Sequence, residues 1–144
     1  STREWVDHPG AVCVVPILPS GEIGLIKQYR YGPRQEFIEI PAGKLDKEEL
    51  PENCANRELA EEIGYKAKKL TLLNEIYPAV GFTNEKMCIF LAEDLFKTKQ
   101  SLDKDEFLVL RPTEMIEAVA MVWNGIITDA KSIIGILWAQ KKLG

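Results

Sequence analysis

Residues Gly43 to Tyr65 read GKLDKEELPENCANRELAEEIGY, and this stretch contains the strongest structural signal in the chain. An apolar residue recurs there at every fourth position, at Ala55, Leu59 and Ile63. This period predicts a helix with one apolar stripe. Pro51 suits the first turn of that helix and Gly64 suits its end. We therefore predict a helix over residues 51–63 with a loop before it.

Three carboxylates share one face of the predicted helix. Glu58, Glu61 and Glu62 are three and four residues apart, which places them together beside the apolar stripe. Their mutual repulsion would be costly next to a core unless a cation lay among them. Mg²⁺ fits that need, because it takes oxygen ligands and commonly binds one or two carboxylates together with substrate phosphates. Arg57, one turn before Glu61, is placed to pair with it and orient a ligand. A solvated helix face rich in charge is the alternative interpretation.

The rest of the chain predicts strands followed by two helices. Six apolar or alternating runs predict strands: Ala11–Leu18, Glu22–Arg30, Phe37–Ile40, Leu70–Ile76, Met87–Ala92 and Phe107–Leu110. We expect the first two to form a hairpin, because Pro19-Ser20-Gly21 between them is a turn signal. One closing helix is predicted from about Pro112 to Asn124, and another from about Thr128 onward. A mixed sheet with helices packed on it, of the α+β class, is the simplest architecture.

Composition limits the class of protein. Of 144 residues, 46% are hydrophobic and 28% are charged, which is ordinary for a globular protein. We expect residues 1–144 to form a single domain, and we expect an N-terminal segment to be missing because the chain begins without Met. The net charge of −4 argues against binding nucleic acid or anionic membrane by bulk electrostatics. No run of about 18 apolar residues predicts a spanning helix.

The three cysteines favour a reducing compartment. Cys13, Cys54 and Cys88 lie far apart, are odd in number and share the chain with a single histidine. Disulfide and zinc interpretations are therefore weak, and buried inert thiols are expected. We accordingly predict a cytoplasmic protein.

The spacing of residues around the three glutamates identifies a family more specifically than the helix pattern does. Nine positions over 23 residues match the spacing of the Nudix box: Gly43, Glu49, Arg57, Glu58, Leu59, Glu61, Glu62, Gly64 and Tyr65. The family more often has an aliphatic residue where Tyr65 stands. The chain thus resembles a Nudix hydrolase. That resemblance implies an α/β/α sandwich in which the box forms loop–helix–loop, and hydrolysis of a nucleoside diphosphate linked to another moiety.

The resemblance also implies roles for individual residues. By match to the box, Glu58 and Glu62 would be the main metal carboxylates, and the carbonyl of Ala42 would be a further metal ligand. Glu61 would lie near them, so Glu61 and Glu62 are candidate catalytic residues. Glu49 would support the site from the loop side. The expected cofactor is Mg²⁺, with Mn²⁺ as a substitute.

Three segments outside the box resemble ADP-ribose pyrophosphatases and related nucleoside diphosphate sugar hydrolases. They are Arg3–Val12, Gln28–Tyr31 together with Glu39–Gly43, and Pro78–Lys86. In this branch Arg30 would clamp the diphosphate, as a guanidinium at a strand end can. Arg3, Glu4 and Glu39 would also contact substrate. Because the N-terminal segment of this branch often crosses to a partner subunit, a homodimer with shared sites is expected.

The acidic run Asp103-Lys104-Asp105-Glu106 is a further candidate. Related enzymes supply a general base or metal ligand from this loop, and we favour Glu106, then Asp103. The predicted reaction is Mg²⁺-dependent hydrolysis of the diphosphate bond of ADP-ribose or a related nucleoside diphosphate sugar. The products would be AMP, or another nucleoside monophosphate, and ribose 5-phosphate, or another sugar phosphate. Alternatives are hydrolysis of GDP-mannose or another nucleoside diphosphate sugar, and a non-catalytic Nudix sensor that binds such nucleotides.

Overall fold

A computed structural model describes residues 6–101 and 107–144. The strands in this part of the chain are β1 (Ala11–Pro16), β2 (Ile23–Arg30), β3 (Gln35–Glu39), β4 (Ala42–Lys44), β5 (Tyr65–Ile76), β6 (Met87–Lys97) and β7 (Leu108–Thr113). The helices are α1 (Pro51–Ile63), α2 (Met115–Trp123) and α3 (Ala130–Leu143). None of the helices in the described ranges is long and apolar enough to span a membrane.

The strands form two sheets. A four-stranded sheet has the order β4-β1-β6-β5, and a three-stranded sheet has the order β3-β2-β7. Strands β1 and β6 run parallel, whereas every other pair is antiparallel. The larger sheet is therefore mixed, and the predicted α+β class with a mixed sheet and helices is confirmed.

The helices lie on both faces of strand β1, which is buried throughout. Successive side chains of a strand point to opposite faces, and here they enter two different cores. Val12 and Val14 pack in one core with the apolar stripe of α1. Cys13 and Val15 pack in the other core with residues of α2 and α3. This layering is an α/β/α sandwich, and it holds α1 firmly against the central strand.

Helix α1 has the bounds that the sequence predicts. Its stripe of Ala55, Leu59 and Ile63 is buried. The helix ends where Gly64 adopts φ +74°, a left-handed conformation that glycine takes without a Cβ clash. The Gly64 N–H donates to the carbonyls of Leu59 and Ala60, which satisfies the last turn.

The predicted hairpin between the first two strands is wrong. The turn itself forms, because Leu18 N–H donates to the Glu22 carbonyl over 2.8 Å. Beyond an isolated bridge between Ile17 and Ile23, however, β1 pairs with β4 and β6 and β2 pairs with β3 and β7. A turn signal sets the direction of the chain locally. It does not select the partners of a strand that is buried on both faces.

Several strand bounds also differ from the predictions. Residues Ala42–Lys44 form β4, although the sequence predicts a loop there. Strand β5 begins at Tyr65 rather than Leu70. The first half of the strand has exposed lysines, so no apolar run marks it in the sequence. Pro112 and Thr113 end β7 by pairing with β2, so α2 begins only at Met115.

Candidate active site

One cavity of about 430 Å³ lies between α1, β4 and the end of β2. Its lining residues are Gln28, Arg30, Ala42, Gly43, Lys44, Asp46, Arg57, Glu58 and Glu62. The predicted metal ligands Ala42, Glu58 and Glu62 therefore line the same space as Arg30. Helix α1 contributes the two carboxylates because its apolar stripe is fixed against β1.

We call Glu49, Arg57, Glu58, Glu61 and Glu62 the helix cluster, and Arg57 is its centre. Arg57 Nε and Nη2 donate to the two carboxylate oxygens of Glu49, each over 2.9 Å. Its Nη1 donates to Glu58 Oε1 over 2.9 Å and lies 3.4 Å from Glu61 Oε2. Its Nη2 also donates to the Lys44 carbonyl over 3.0 Å. The predicted pairing of Arg57 with Glu61 is present, but its shorter bonds are to Glu49 and Glu58.

The charges in the helix cluster stabilise one another. Hydrogen bonds from the Arg57 guanidinium, helped by the backbone N–H of Asp46, lower the pKa of Glu49 to about 2. Glu49 in turn raises the pKa of Arg57 above its ordinary value. Both groups are therefore charged at neutral pH, and Arg57 stays fixed over Glu58.

Gly43 leaves the space that Glu58 occupies. A Cβ atom at position 43 would overlap the Glu58 carboxyl group. Glu58 and Glu62 are 9% and 8% exposed, so both side chains lie nearly buried at the wall of the cavity. The glycine of the box thus has a direct steric purpose, which is the close approach of a carboxylate to the backbone.

The donor set suits a hard divalent cation. Two nearly buried carboxylates and the backbone at Ala42 line one cavity, and oxygen atoms are the ligands that Mg²⁺ prefers. In residues 6–101 and 107–144, no three His, Cys, Asp or Glu side chains are already gathered around one point. Glu61 lies at the edge, since its side chain is 42% exposed and does not line the cavity.

A second group of charges, which we call the strand-end cluster, comprises Arg30, Glu39, Asp129, Lys131 and Ser132. Arg30 Nε and Nη2 donate to the two oxygens of Glu39, each over 2.8 Å. Lys131 Nζ donates to Glu39 Oε1 over 2.6 Å and to Asp129 Oδ2 over 2.8 Å. The Glu39 side chain is only 2% exposed, so both of its oxygens are engaged inside the protein.

Burial and ion pairing act in opposite directions in this cluster. Burial would raise the pKa of Glu39, but hydrogen bonds from Arg30 and Lys131 outweigh it and lower the pKa. Burial would lower the pKa of Lys131, yet the charges of Asp129 and Glu39 raise it. Glu39 and Lys131 therefore remain charged at neutral pH.

A second cavity of about 340 Å³ lies over the strand-end cluster. Its lining includes aromatic and charged residues: Tyr31, Phe37, Glu39, Asp129 and Lys131. Arg30 lines both cavities, so it lies at their boundary. The arrangement provides carboxylates at one end, a guanidinium in the middle and aromatic rings at the other end. An elongated anion with a flat organic group fits that order of chemistry.

Comparison with known proteins identifies the family. The family model of the NUDIX domain matches residues 7–127. The chain belongs to the Nudix family. An ADP-ribose pyrophosphatase from Bacillus subtilis (strain 168) is 43% identical over 144 residues, which is 99% of this chain and 78% of the relative. A methanol dehydrogenase activator from Bacillus methanolicus is 37% identical over 142 residues, or 97% of this chain and 77% of its own.

A solved structure agrees with the Nudix assignment. The crystal structure of an ADP compounds hydrolase matches with a TM-score of 0.86 and 27% identity. The match covers 93% of this chain and 72% of the other. The predicted family and sandwich fold are thereby confirmed.

The remaining predicted site residues lie outside the described ranges or in the second cavity. Arg3, Glu4 and Glu106, with the second choice Asp103, lie outside the described residues. Glu39 lines the second cavity, but its oxygens are bonded to Arg30 and Lys131 rather than exposed to a ligand.

Sequence reasoning missed Asp129 and Lys131. Asp129 carries a recognisable signal, because it precedes a helix and its side chain accepts the Ser132 N–H as an N-cap. Lys131 carries a weaker sequence signal. A cation in the first turn of a helix is unfavourable, so its presence there indicates a nearby compensating carboxylate.

Proposed function

We propose that this chain hydrolyses the diphosphate bond of ADP-ribose or a related nucleoside diphosphate sugar. The products are AMP, or the corresponding nucleoside monophosphate, and ribose 5-phosphate, or the corresponding sugar phosphate. The observation that carries the proposal is the shared cavity, in which Glu58 and Glu62 of the Nudix box face the same space as Arg30. The names of the Bacillus subtilis relative and of the matching crystal structure support the substrate class.

Mg²⁺ is the proposed cofactor, with Mn²⁺ as a substitute. Glu58, Glu62 and the Ala42 carbonyl would hold it, because they are the hard oxygen donors of the cavity. A bound divalent cation would neutralise charge that develops on the diphosphate and would lower the pKa of a water molecule. Arg57 orients Glu58, as a hydrogen-bond partner behind a metal ligand does.

Other residues bind substrate and accept a proton. Arg30 binds the diphosphate through charge-assisted hydrogen bonds, while Glu39 holds the guanidinium in place. A carboxylate takes the proton of the attacking water, either Glu106 or a member of the helix cluster, Glu61 or Glu62. The exposed ring of Tyr31 lies beside Arg30 in the second cavity, where it can stack on the base.

A panel of substrates tests the reaction and separates its alternatives. The purified protein would be given ADP-ribose, GDP-mannose and other nucleoside diphosphate sugars with Mg²⁺ or Mn²⁺, and the nucleotide product measured. We expect AMP from ADP-ribose, with Glu62→Gln as the inactive control. Faster release of GMP from GDP-mannose would favour the alternative substrate. Tight binding without turnover of any compound would contradict the hydrolase and support a sensor.

The proposed assembly is a homodimer in which Arg3 and Glu4 reach the partner's substrate. Trp5 and Val6 are apolar side chains whose burial by a second subunit would stabilise the dimer, at about 25 cal/mol per Å² of apolar surface. Val6 is half exposed in the single chain. Light scattering should give twice the mass of one chain, and deletion of residues 1–8 should weaken ADP-ribose binding. A monomeric mass would refute the dimer, and full activity after the deletion would refute the substrate contact of Arg3 and Glu4.

Domain extent and location complete the proposal. We propose that residues 1–144 form one Nudix domain, since the family model covers most of that range. The three cysteines are free thiols, and Cys13 and Cys54 are buried. Free thiols of this kind suit the reducing cytoplasm, which is the proposed location.

A further inference from the structure

Lys131 lies at the proposed site although it is far from the Nudix box in sequence. It occupies the first turn of α3, and its side chain is only 14% exposed. Its ammonium group bonds to Glu39, 92 residues earlier in the chain, over 2.6 Å. The same group bonds to Asp129 over 2.8 Å. Lys131 also lines the second cavity, so this buried cation lies at the anion-binding end of the proposed site.

The placement of Lys131 is costly on its own. A cation in the first turn of a helix is repelled by the macrodipole. Burying an ammonium group adds a desolvation cost, which only close carboxylates offset. Asp129 and Glu39 supply these carboxylates, so the position is built around a charged lysine rather than around an apolar side chain.

Glu39 transmits the effect of Lys131 to Arg30. Its Oε1 accepts from both Lys131 Nζ and Arg30 Nη2, and its Oε2 accepts from Arg30 Nε. The ammonium group therefore restricts the rotation of the Glu39 carboxylate, and that carboxylate restricts the guanidinium. Within the part of the chain that the structure describes, Arg30 Nη1 makes no hydrogen bond to another residue. Its two N–H groups, together with the second N–H of Nη2, can donate to an anion.

The first turn of α3 is attached to the strand that carries Glu39. The hydroxyl of Ser132 accepts the Ile40 N–H over 3.0 Å, and the Asp129 carboxylate accepts from the Ser132 backbone over 3.3 Å. Ile40 directly follows Glu39 and Ser132 directly follows Lys131, so the Ile40–Ser132 bond holds helix and strand end together beside the ion pair. Lys131 consequently has a fixed position relative to Glu39.

We propose that Lys131 is a positioning residue: through Glu39 it holds the Arg30 guanidinium in the orientation that binds the diphosphate. The substrate part of this inference rests on the proposed function. The orientation of Arg30 does not, because it follows from contacts within the chain.

Kinetics of single and double variants test the link. Lys131→Met should raise KM for ADP-ribose about tenfold with a smaller change in kcat, which is within the range for partners that orient a binding group. Lys131→Arg should restore most of the affinity, and Lys142→Met, an exposed position of the same helix, should have no effect. In an Arg30→Ala background Lys131→Met should change KM less than about twofold, because coupled residues are not additive.

Multiplicative effects of the two substitutions would overturn the proposal, since they would show that Lys131 acts independently of Arg30. An unchanged KM in folded Lys131→Met would overturn it as well. Thermal unfolding of each variant identifies any that fails to fold, and Lys131→Gln serves as the milder replacement if Lys131→Met does.

A measurement without substrate separates this proposal from the proposed function. The Arg30 Nε–H resonance, assigned by its loss in Arg30→Ala, should exchange slowly with solvent in the wild-type protein and faster in Lys131→Met. An unchanged exchange rate would overturn the positioning role whatever the protein hydrolyses. A wild-type protein inactive on every nucleoside diphosphate sugar would instead overturn the proposed function.

Discussion

The helix cluster and the strand-end cluster each contain an arginine–glutamate ion pair, but the two pairs differ in their surroundings. Each has an arginine that donates two hydrogen bonds to one glutamate: Arg57 to Glu49 at 2.9 Å, and Arg30 to Glu39 at 2.8 Å. Glu49 is 14% exposed and Glu39 is 2% exposed. The buried pair needs a second cation, Lys131, whereas the more exposed pair does not.

The two clusters therefore present groups of opposite charge to a ligand. In the helix cluster the arginine is surrounded by carboxylates and fixes Glu58, so the carboxylates are the groups presented to a ligand. In the strand-end cluster the carboxylate lies between two cations, so Arg30 is the group presented. One end of the site is therefore suited to cations and the other to anions, as a metal-bound diphosphate requires.

Glu62→Gln should have the largest effect, because it removes charge from the cation-binding end. We expect kcat to fall by about 10²–10³, comparable to the loss of a strong electrostatic stabiliser. The amide is nearly isosteric, so thermal unfolding should change little. Glu52→Gln, an exposed carboxylate in the first turn of α1, is the control and should retain full activity. Near-normal turnover of purified Glu62→Gln would rule out its role as a metal ligand.

Gly43→Ala should break the helix cluster by sterics alone. The added methyl group would displace the Glu58 carboxyl group, which is the flexible end of a side chain, so the fold should survive. We expect a loss of kcat of about 10–100-fold, as for disturbed ligand geometry. Gly81→Ala, where no atom lies within 4 Å of the added Cβ, is the matched control. Equal activity of the two variants would show that Glu58 need not lie against the backbone.

Arg30→Ala should affect the anion-binding end differently. We expect KM to rise about tenfold and kcat to fall less, because a clamp that acts equally in the ground and transition states supplies uniform binding. Lys27→Ala, an exposed position on the same strand, should change neither value. A fall in kcat with KM unchanged would show that Arg30 stabilises mainly the transition state. The two ends of the site would then not differ in the kinetic parameter that they affect.

Glu49→Gln should have the smallest effect, and its effect should depend on pH. The folded-state pKa of Glu49 is about 2, below the ordinary value of 4.5, so its ion pair stabilises the fold above pH 4.5 and is lost as pH falls toward 2. At pH 7 the variant should be less stable by about 1–2 kcal/mol, typical of a charged hydrogen bond.

Urea unfolding of the wild type and of Glu49→Gln between pH 2 and pH 7 measures this difference. The two free energies of unfolding should converge in acid, and taking their difference removes the contribution of the other carboxylates. A difference that stays constant down to pH 2 would mean that the Arg57 contact contributes little to the stability of the fold.

The local elements of the site could be predicted from the sequence because their information is local. The apolar stripe of α1 and the grouping of its three glutamates follow from the 3.6-residue period, and its bounds follow from Pro51 and Gly64. The pairing of Arg57 with Glu61 follows from the same period. The strand pairing did not follow, and the predicted hairpin failed because β1 and β2 find their partners in distant segments.

The same physical distinction separates the two ends of the site. A helical repeat places the carboxylates of α1 on one face, so the amino-acid sequence alone groups Glu58 and Glu62 at the end that we propose binds cations. The strand-end cluster combines residues that are 92 positions apart, and their meeting depends on how α3 packs on β1 and how Ser132 binds Ile40. Packing of distant elements depends on the complete core, and for that reason the roles of Lys131 and Asp129 are decided only by the tertiary structure.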